Sequence, residues 1–108
     1  MIRHVILWKL RDIPDDGTSA EADEVKRKLA LCEDGFSRLV GRIPGLLSLK
    51  LYTKPLLSST CDLMLDAKFE DEAALAAYKS NPEHQAIQSV LRPLVSERVC
   101  MDCEEPNT

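Results

Sequence analysis

The sequence has no long apolar run and no concentrated stripe of basic residues. Its 108 residues carry a formal net charge of −4, and its lysines and arginines are scattered among acids. Nucleic acids and anionic membrane surfaces both require a concentrated basic patch, so neither is expected as a partner. A membrane span needs about 20 consecutive apolar residues, and the segment after Met1 is also too short for the apolar part of a signal peptide. We therefore expect a cytoplasmic protein.

The chain contains four cysteines, Cys32, Cys61, Cys100 and Cys103, which a cytoplasmic protein should keep as reduced thiols. Cys100 and Cys103 have the spacing of a C-x-x-C motif. Their segment has the pattern of a strand, however, and residues three apart in a strand point to opposite faces of the sheet. We therefore predict no metal site and no cofactor.

The apolar pattern predicts one domain over residues 1–104, followed by a tail at 105–108. Strands are predicted at 4–10, 46–55, 61–69 and 96–103, with a long helix from a capping box at Thr18 to about Val40. Two short helices follow, capped by Asp71 and Asn81. This order predicts an α+β, ferredoxin-like split βαβ fold, with a four-stranded antiparallel sheet and helices on one face.

The first strand is apolar on both of its faces. His4, Ile6 and Trp8 alternate with Val5 and Leu7. Because helices would cover only one face of the sheet, the other face needs a partner. A second copy of the same sheet, related by a two-fold axis, is the simplest one. We therefore predict a homodimer that forms through the open sheet face.

The turn between the two short helices carries the candidate chemistry. Asn81 suits an N-cap and Pro82 the first helical position, so His84 falls at about the third. The unpaired amides and the helix dipole there disfavour imidazolium, which keeps His84 neutral near pH 7, as a general base requires. Tyr78, across the turn, could orient a substrate or carry a proton. The alternative interpretation makes His84 a surface residue and Tyr78 a core residue.

Three segments together resemble the stress-responsive α/β-barrel (Dabb) family: residues 2–12, residues 62–84 with Tyr78, Pro82 and His84, and residues 99–103. The resemblance covers nearly the whole chain. It implies a homodimer whose two sheets face each other as an α/β barrel. It also implies a pocket in each subunit between the sheet and the helices.

One plant branch of that family is a polyketide cyclase, in which a histidine after the proline acts as base. A tyrosine upstream and a histidine on the first strand assist it. Carried over to this chain, the resemblance implies catalytic roles for His84, Tyr78 and His4. We expect the apolar side chains of Ile6, Trp8 and Phe36 to line the ligand pocket.

We predict a stress-responsive barrel-domain protein with a small-molecule pocket and cyclase- or isomerase-like base chemistry through His84. Removing a proton next to a carbonyl needs a neutral base, and the resulting oxyanion needs a donor such as a phenol. Two alternatives stay open. One is a non-enzymatic dimeric stress protein, and the other is a haem-binding or monooxygenase-like barrel with His84 as axial ligand.

Overall fold

The computed structural model describes residues 1–12 and 20–106. The elements in chain order are β1 (Ile2–Leu10), α1 (Ala20–Arg38), β2 (Leu46–Tyr52), β3 (Leu63–Phe69), α2 (Glu72–Ser80), α3 (Pro82–Leu91), a 3₁₀ turn (Arg92–Leu94) and β4 (Val95–Glu104). The capping box predicted at Thr18 lies outside the described residues. Within the described ranges, no helix is long and apolar enough to cross a membrane.

The four strands form one sheet in the order β2-β3-β1-β4, and every neighbouring pair is antiparallel. This is the α+β, ferredoxin-like arrangement that the order of elements predicted. Helices α1 and α2 pack on β2 and β3, whereas β4 pairs with β1 at the sheet edge. As a result, nearly all of β4 is exposed to solvent.

The core lies between the sheet and the helices. Alternate residues of β1 and β3 point into it, as their period-two patterns predicted. One stripe of α1 covers them, formed by Val25, Leu29, Cys32 and Phe36. His4 occupies a position in the buried row of β1, so a polar ring is placed among apolar side chains.

The second strand breaks the simple alternation expected of it. The β2–β3 register shifts between Leu46 and Ser48, and Leu47 is 44% exposed. An extra residue at such a bulge restores the buried face further along, at Leu49. The strand also ends at Tyr52, earlier than the predicted residue 55.

Gly35 lies inside α1, where we expected it to weaken the helix. A Cβ atom at this position would come within 3.1 Å of Ile87 Cδ1 on α3. The missing side chain therefore allows α1 and α3 to approach closely. This contact between the two helices offsets part of the cost in helix propensity.

Candidate functional site

The turn between α2 and α3 positions two of the candidate side chains. Asn81 Oδ1 accepts hydrogen bonds from the backbone N–H groups of Glu83 and His84, at 2.9 and 3.2 Å. Pro82 occupies the first position of α3, and His84 the third. The predicted N-cap is confirmed. Its geometry brings the start of α3 back toward Tyr78 at the end of α2.

His4, Tyr78 and His84 come together in the core, and we call them the polar cluster. Their exposed fractions are 2%, 1% and 3%. The ring centroids of Tyr78 and His84 are 3.9 Å apart, and those of His4 and Tyr78 are 6.0 Å apart. The alternative interpretation is therefore wrong in making His84 a surface residue and right in making Tyr78 a core residue. Three residues from β1, α2 and α3 form one buried cluster.

Two polar atoms of the cluster are buried without a hydrogen-bond partner among the described residues. They are Tyr78 Oη and His84 Nδ1. Most buried polar atoms in proteins are hydrogen-bonded, and leaving one unpaired costs about 1–3 kcal/mol. A purely structural cluster gains nothing from such atoms. Tyr78 and His84 therefore each carry a polar atom that is free to bond a further group.

Burial sets the protonation states of Tyr78 and His84. Burial lowers the pKa of His84 to about 4. Electrostatic repulsion from His4 also lowers this pKa, whereas the backbone of Lys79 and Tyr78 acts to raise it. Burial raises the pKa of Tyr78. At neutral pH His84 is thus a neutral acceptor and Tyr78 a donor. The neutral state of His84 was predicted from its place at the helix N-terminus, but burial is its main cause.

Asp102 on β4 holds His4 in place. The register pairs the two residues across β1 and β4, and His4 Nδ1 forms a short hydrogen bond with the Asp102 carboxylate. Burial acts to raise the pKa of Asp102, but the hydrogen bond and charge of His4 and the nearby Lys79 outweigh it and lower the pKa. Asp102 is therefore a carboxylate that orients the imidazole. Its role went unpredicted because only the strand register brings it to His4.

A groove of about 440 Å³ runs between α2 and β4, and no residue of the polar cluster lines it. Its wall includes Leu75 and Lys79 of α2 and Asp102 of β4. Lys79 Nζ spans the groove and lies 3.5 Å from Asp102 Oδ2. The groove exists because β4 lies beyond the part of the sheet that the helices cover. It gives solvent access to the side chain that holds His4.

The predicted ligand-binding residues are only partly brought together. Phe36 packs near His84, with ring centroids 6.2 Å apart. Trp8 instead lines a second groove of about 290 Å³, between α3 and β4. Ile6 is buried in the same row of β1, between His4 and Trp8. The structure thus places Phe36 at the polar cluster and Trp8 in a separate groove.

The comparison with family models accounts for nearly all of the chain. Residues 2–105 match the model of the stress-responsive A/B barrel domain. The chain belongs to the Dabb family. No curated protein matches it.

Solved structures with the same fold include Dabb proteins and an enzyme. A dimeric protein of unknown function from Bacteroides fragilis, described as ferredoxin-like, superposes with a TM-score of 0.79 at 23% identity, over 96% of this chain and 95% of that one. A Dabb protein from Mesorhizobium loti superposes with a TM-score of 0.68 at 20% identity, over 98% of this chain and 97% of that one. A hydroxynitrile lyase from Passiflora edulis superposes with a TM-score of 0.71 at 11% identity, over 99% of this chain and 94% of that one. At these identities the likeness shows the fold alone.

Proposed function

We propose that this Dabb domain binds a small carbonyl compound between its sheet and its helices, and that His84 acts on it as a general base. The observation that carries the proposal is the pair of unpartnered polar atoms, Tyr78 Oη and His84 Nδ1. A bound carbonyl group would satisfy the phenol, and a proton from the adjacent carbon would satisfy the imidazole. The groove between α2 and β4, whose wall includes Asp102, is the proposed entrance.

The proposed step forms an enolate. His84 Nδ1 takes the proton from the carbon next to the carbonyl, and the electrons of the broken C–H bond move toward the carbonyl oxygen. Tyr78 Oη–H donates a hydrogen bond to that oxygen as its negative charge develops. Because the rings of Tyr78 and His84 are 3.9 Å apart, both can act on one small group. His4, oriented by Asp102, serves as the positioning residue at the edge of the site.

Proton exchange tests this step without knowledge of the final product. We expect the protein to accelerate exchange of the protons next to the carbonyl of a thioester for deuterium in D₂O, followed by NMR. His84→Ala should reduce the rate to that of buffer, and Tyr78→Phe should reduce it about 100-fold. Gln85→Ala, on the exposed side of α3, is the matched control and should leave the rate unchanged. An acceleration that survives His84→Ala would contradict the proposal.

The haem interpretation has weaker support. An axial histidine must face an open space large enough for the porphyrin. His84 is 3% exposed, and its ring packs between Tyr78 and Phe36. The non-enzymatic alternative remains the main competitor, because a stable dimer would need no ligand.

We also propose that the chain forms a homodimer through the open face of its sheet. Exposed and half-buried apolar side chains lie there on adjacent strands, and we call them the open-face patch: Val5, Leu7, Tyr52, Met64, Val99 and Met101. Val99 and Met101 are 66% and 67% exposed. An apolar patch of this kind on a soluble domain is typical of an interface. The Bacteroides fragilis protein of the same fold is dimeric, which supports the same assembly.

A charge placed in the open-face patch should separate the subunits. We expect Val99→Asp to weaken dimerisation at least tenfold, because a carboxylate would be buried without a partner. Analytical ultracentrifugation measures the dissociation constant. Leu31→Asp is the control, since Leu31 is 54% exposed on α1, away from the open face. Equal dimer stability in wild type and Val99→Asp would exclude this face as the interface.

A further inference from the structure

We propose that His4, Cys100 and Asp102 form a binding site for a divalent transition-metal ion of the Zn²⁺ and Co²⁺ type. One ligand atom from each residue lies within 4.8 Å of the other two. Cys100 Sγ is 3.7 Å from His4 Nδ1 and 3.8 Å from Asp102 Oδ1. Zinc bonds of about 2.0–2.3 Å at tetrahedral angles place ligand atoms roughly 3.3–3.7 Å apart. The distances from Cys100 Sγ to the other two ligand atoms are therefore already close to those of a zinc site.

The β1–β4 register builds this site. It pairs His4 with Asp102 and Ile6 with Cys100, so all three ligands project from the same face of two neighbouring strands. His4 is 2% exposed and fixed, whereas Cys100 and Asp102 are accessible from the helix side of β4. Cys103 pairs with Arg3 and points to the opposite face. Cys100 and Cys103 therefore point to opposite faces of the sheet and cannot bind one ion together, as the sequence predicted. Cys100 instead lies beside His4 and Asp102.

The donor set identifies the class of ion. A thiolate selects zinc-like transition metals over Mg²⁺ and Ca²⁺, which prefer oxygen ligands, and imidazole and carboxylate also suit zinc. On binding, the ion takes the place of the proton on His4 Nδ1, the imidazole stays neutral with its proton on Nε2, and the Cys100 thiol gives its proton to solvent. Three protein ligands leave the fourth position of a tetrahedral zinc site open. This is the arrangement of a site that can accept water or a small ligand.

A cysteine nucleophile is the competing interpretation of the same residues. A Cys-His-Asp triad needs the thiol on one ring nitrogen and the carboxylate on the other. Here both Cys100 and Asp102 contact His4 Nδ1. Burial and the adjacent Asp102 raise the pKa of the Cys100 thiol, which leaves it protonated in the absence of a cation. Convergence on one nitrogen is the geometry of chelation.

Lys79 is the group that opposes a cation at this site. Its ammonium lies 3.5 Å from Asp102 Oδ2, whereas His4 and Cys100 contact Oδ1. The Lys79 side chain is 53% exposed, so it can turn into solvent when an ion binds. The site shares His4 and Asp102 with the proposed base chemistry, whereas Cys100 belongs to the metal site alone, so a Cys100 variant tests the metal site separately.

Titration of the full-length, reduced protein with Co²⁺ tests the site. We expect a thiolate-to-cobalt charge-transfer band in the near ultraviolet that saturates at one ion per chain and disappears on addition of Zn²⁺. Cys100→Ala should abolish the band, and Asp102→Asn should weaken binding at least tenfold. Cys103→Ala, from the same motif but the opposite face, should leave the band unchanged. Absence of the band in wild type, or its persistence in Cys100→Ala, would overturn the proposal.

Discussion

Gly45→Ala lowers the free energy of unfolding by about 3 kcal/mol. Gly45 has a φ of +84°, a conformation that costs about 1–2 kcal/mol for a residue with a side chain. A Cβ atom there would also lie 2.5 Å from the Cβ of Ala74 on α2. Overpacking of this kind adds about 1–3 kcal/mol. Gly45 also accepts a hydrogen bond from the N–H of Glu70 at 2.9 Å, so its position ties β2 to the start of α2.

Gly41→Ala is the matched control for this prediction. Gly41 has a similar φ of +90°, but a Cβ atom there would meet no other atom within 4 Å. The Gly41→Ala variant should therefore lose only the backbone contribution to the free energy of unfolding, about 1–2 kcal/mol. Urea denaturation of both variants, at one protein concentration, measures the difference. Equal losses of unfolding free energy in the Gly41→Ala and Gly45→Ala variants would mean that the structure relieves the contact with Ala74 at little cost.

Acidification from pH 7 to pH 4 destabilises the wild-type protein by about 2–3 kcal/mol more than it destabilises His84→Phe. The pKa of His84 is about 4 in the folded protein and 6.5 in its ordinary state. Between these values the unfolded chain binds a proton that the folded protein does not. The stabilising contribution is complete above pH 6.5 and is lost as the pH falls toward 4, because each pKa unit corresponds to about 1.4 kcal/mol.

Phenylalanine is the appropriate replacement because it keeps a ring packed against Tyr78 and Phe36 and removes the titration. Carboxylates also titrate in this range, but they contribute equally to both proteins and cancel in the difference. Urea unfolding at intervals between pH 4 and pH 7.5 gives the two profiles. Parallel profiles would show that His84 titrates normally in the folded state, and the argument for a buried, neutral imidazole would fail.

Local patterns predicted most of the fold. The alternation of β1 and β3 and the caps at Asp71 and Asn81 are each contained within a few residues, so they can be recognised in the sequence. The bulge after Leu46 could not, because it depends on how β2 pairs with β3.

The three residues of the polar cluster were predicted, but their joint burial in the core was not. His4, Tyr78 and His84 do meet, yet they lie in the core and not on the wall of an open pocket. The contact between His4 and Asp102 joins residues 98 positions apart in the chain. Only the register of β1 against β4 determines that contact, and the same register brings Cys100 to His4. Sequence spacing carries no information about it.

The most direct test of the polar cluster as a ligand site is a thermal-shift screen of phenols, β-keto acids and thioesters. Wild type, His84→Ala and Tyr78→Phe are measured in parallel. A ligand at 100 times its dissociation constant stabilises the folded state by about 2.7 kcal/mol, enough to raise the midpoint by several degrees. We expect at least one compound class to raise the midpoint of wild type and not that of either variant. Shifts of equal size in all three proteins, or none in any, would contradict a pocket built around His84 and Tyr78.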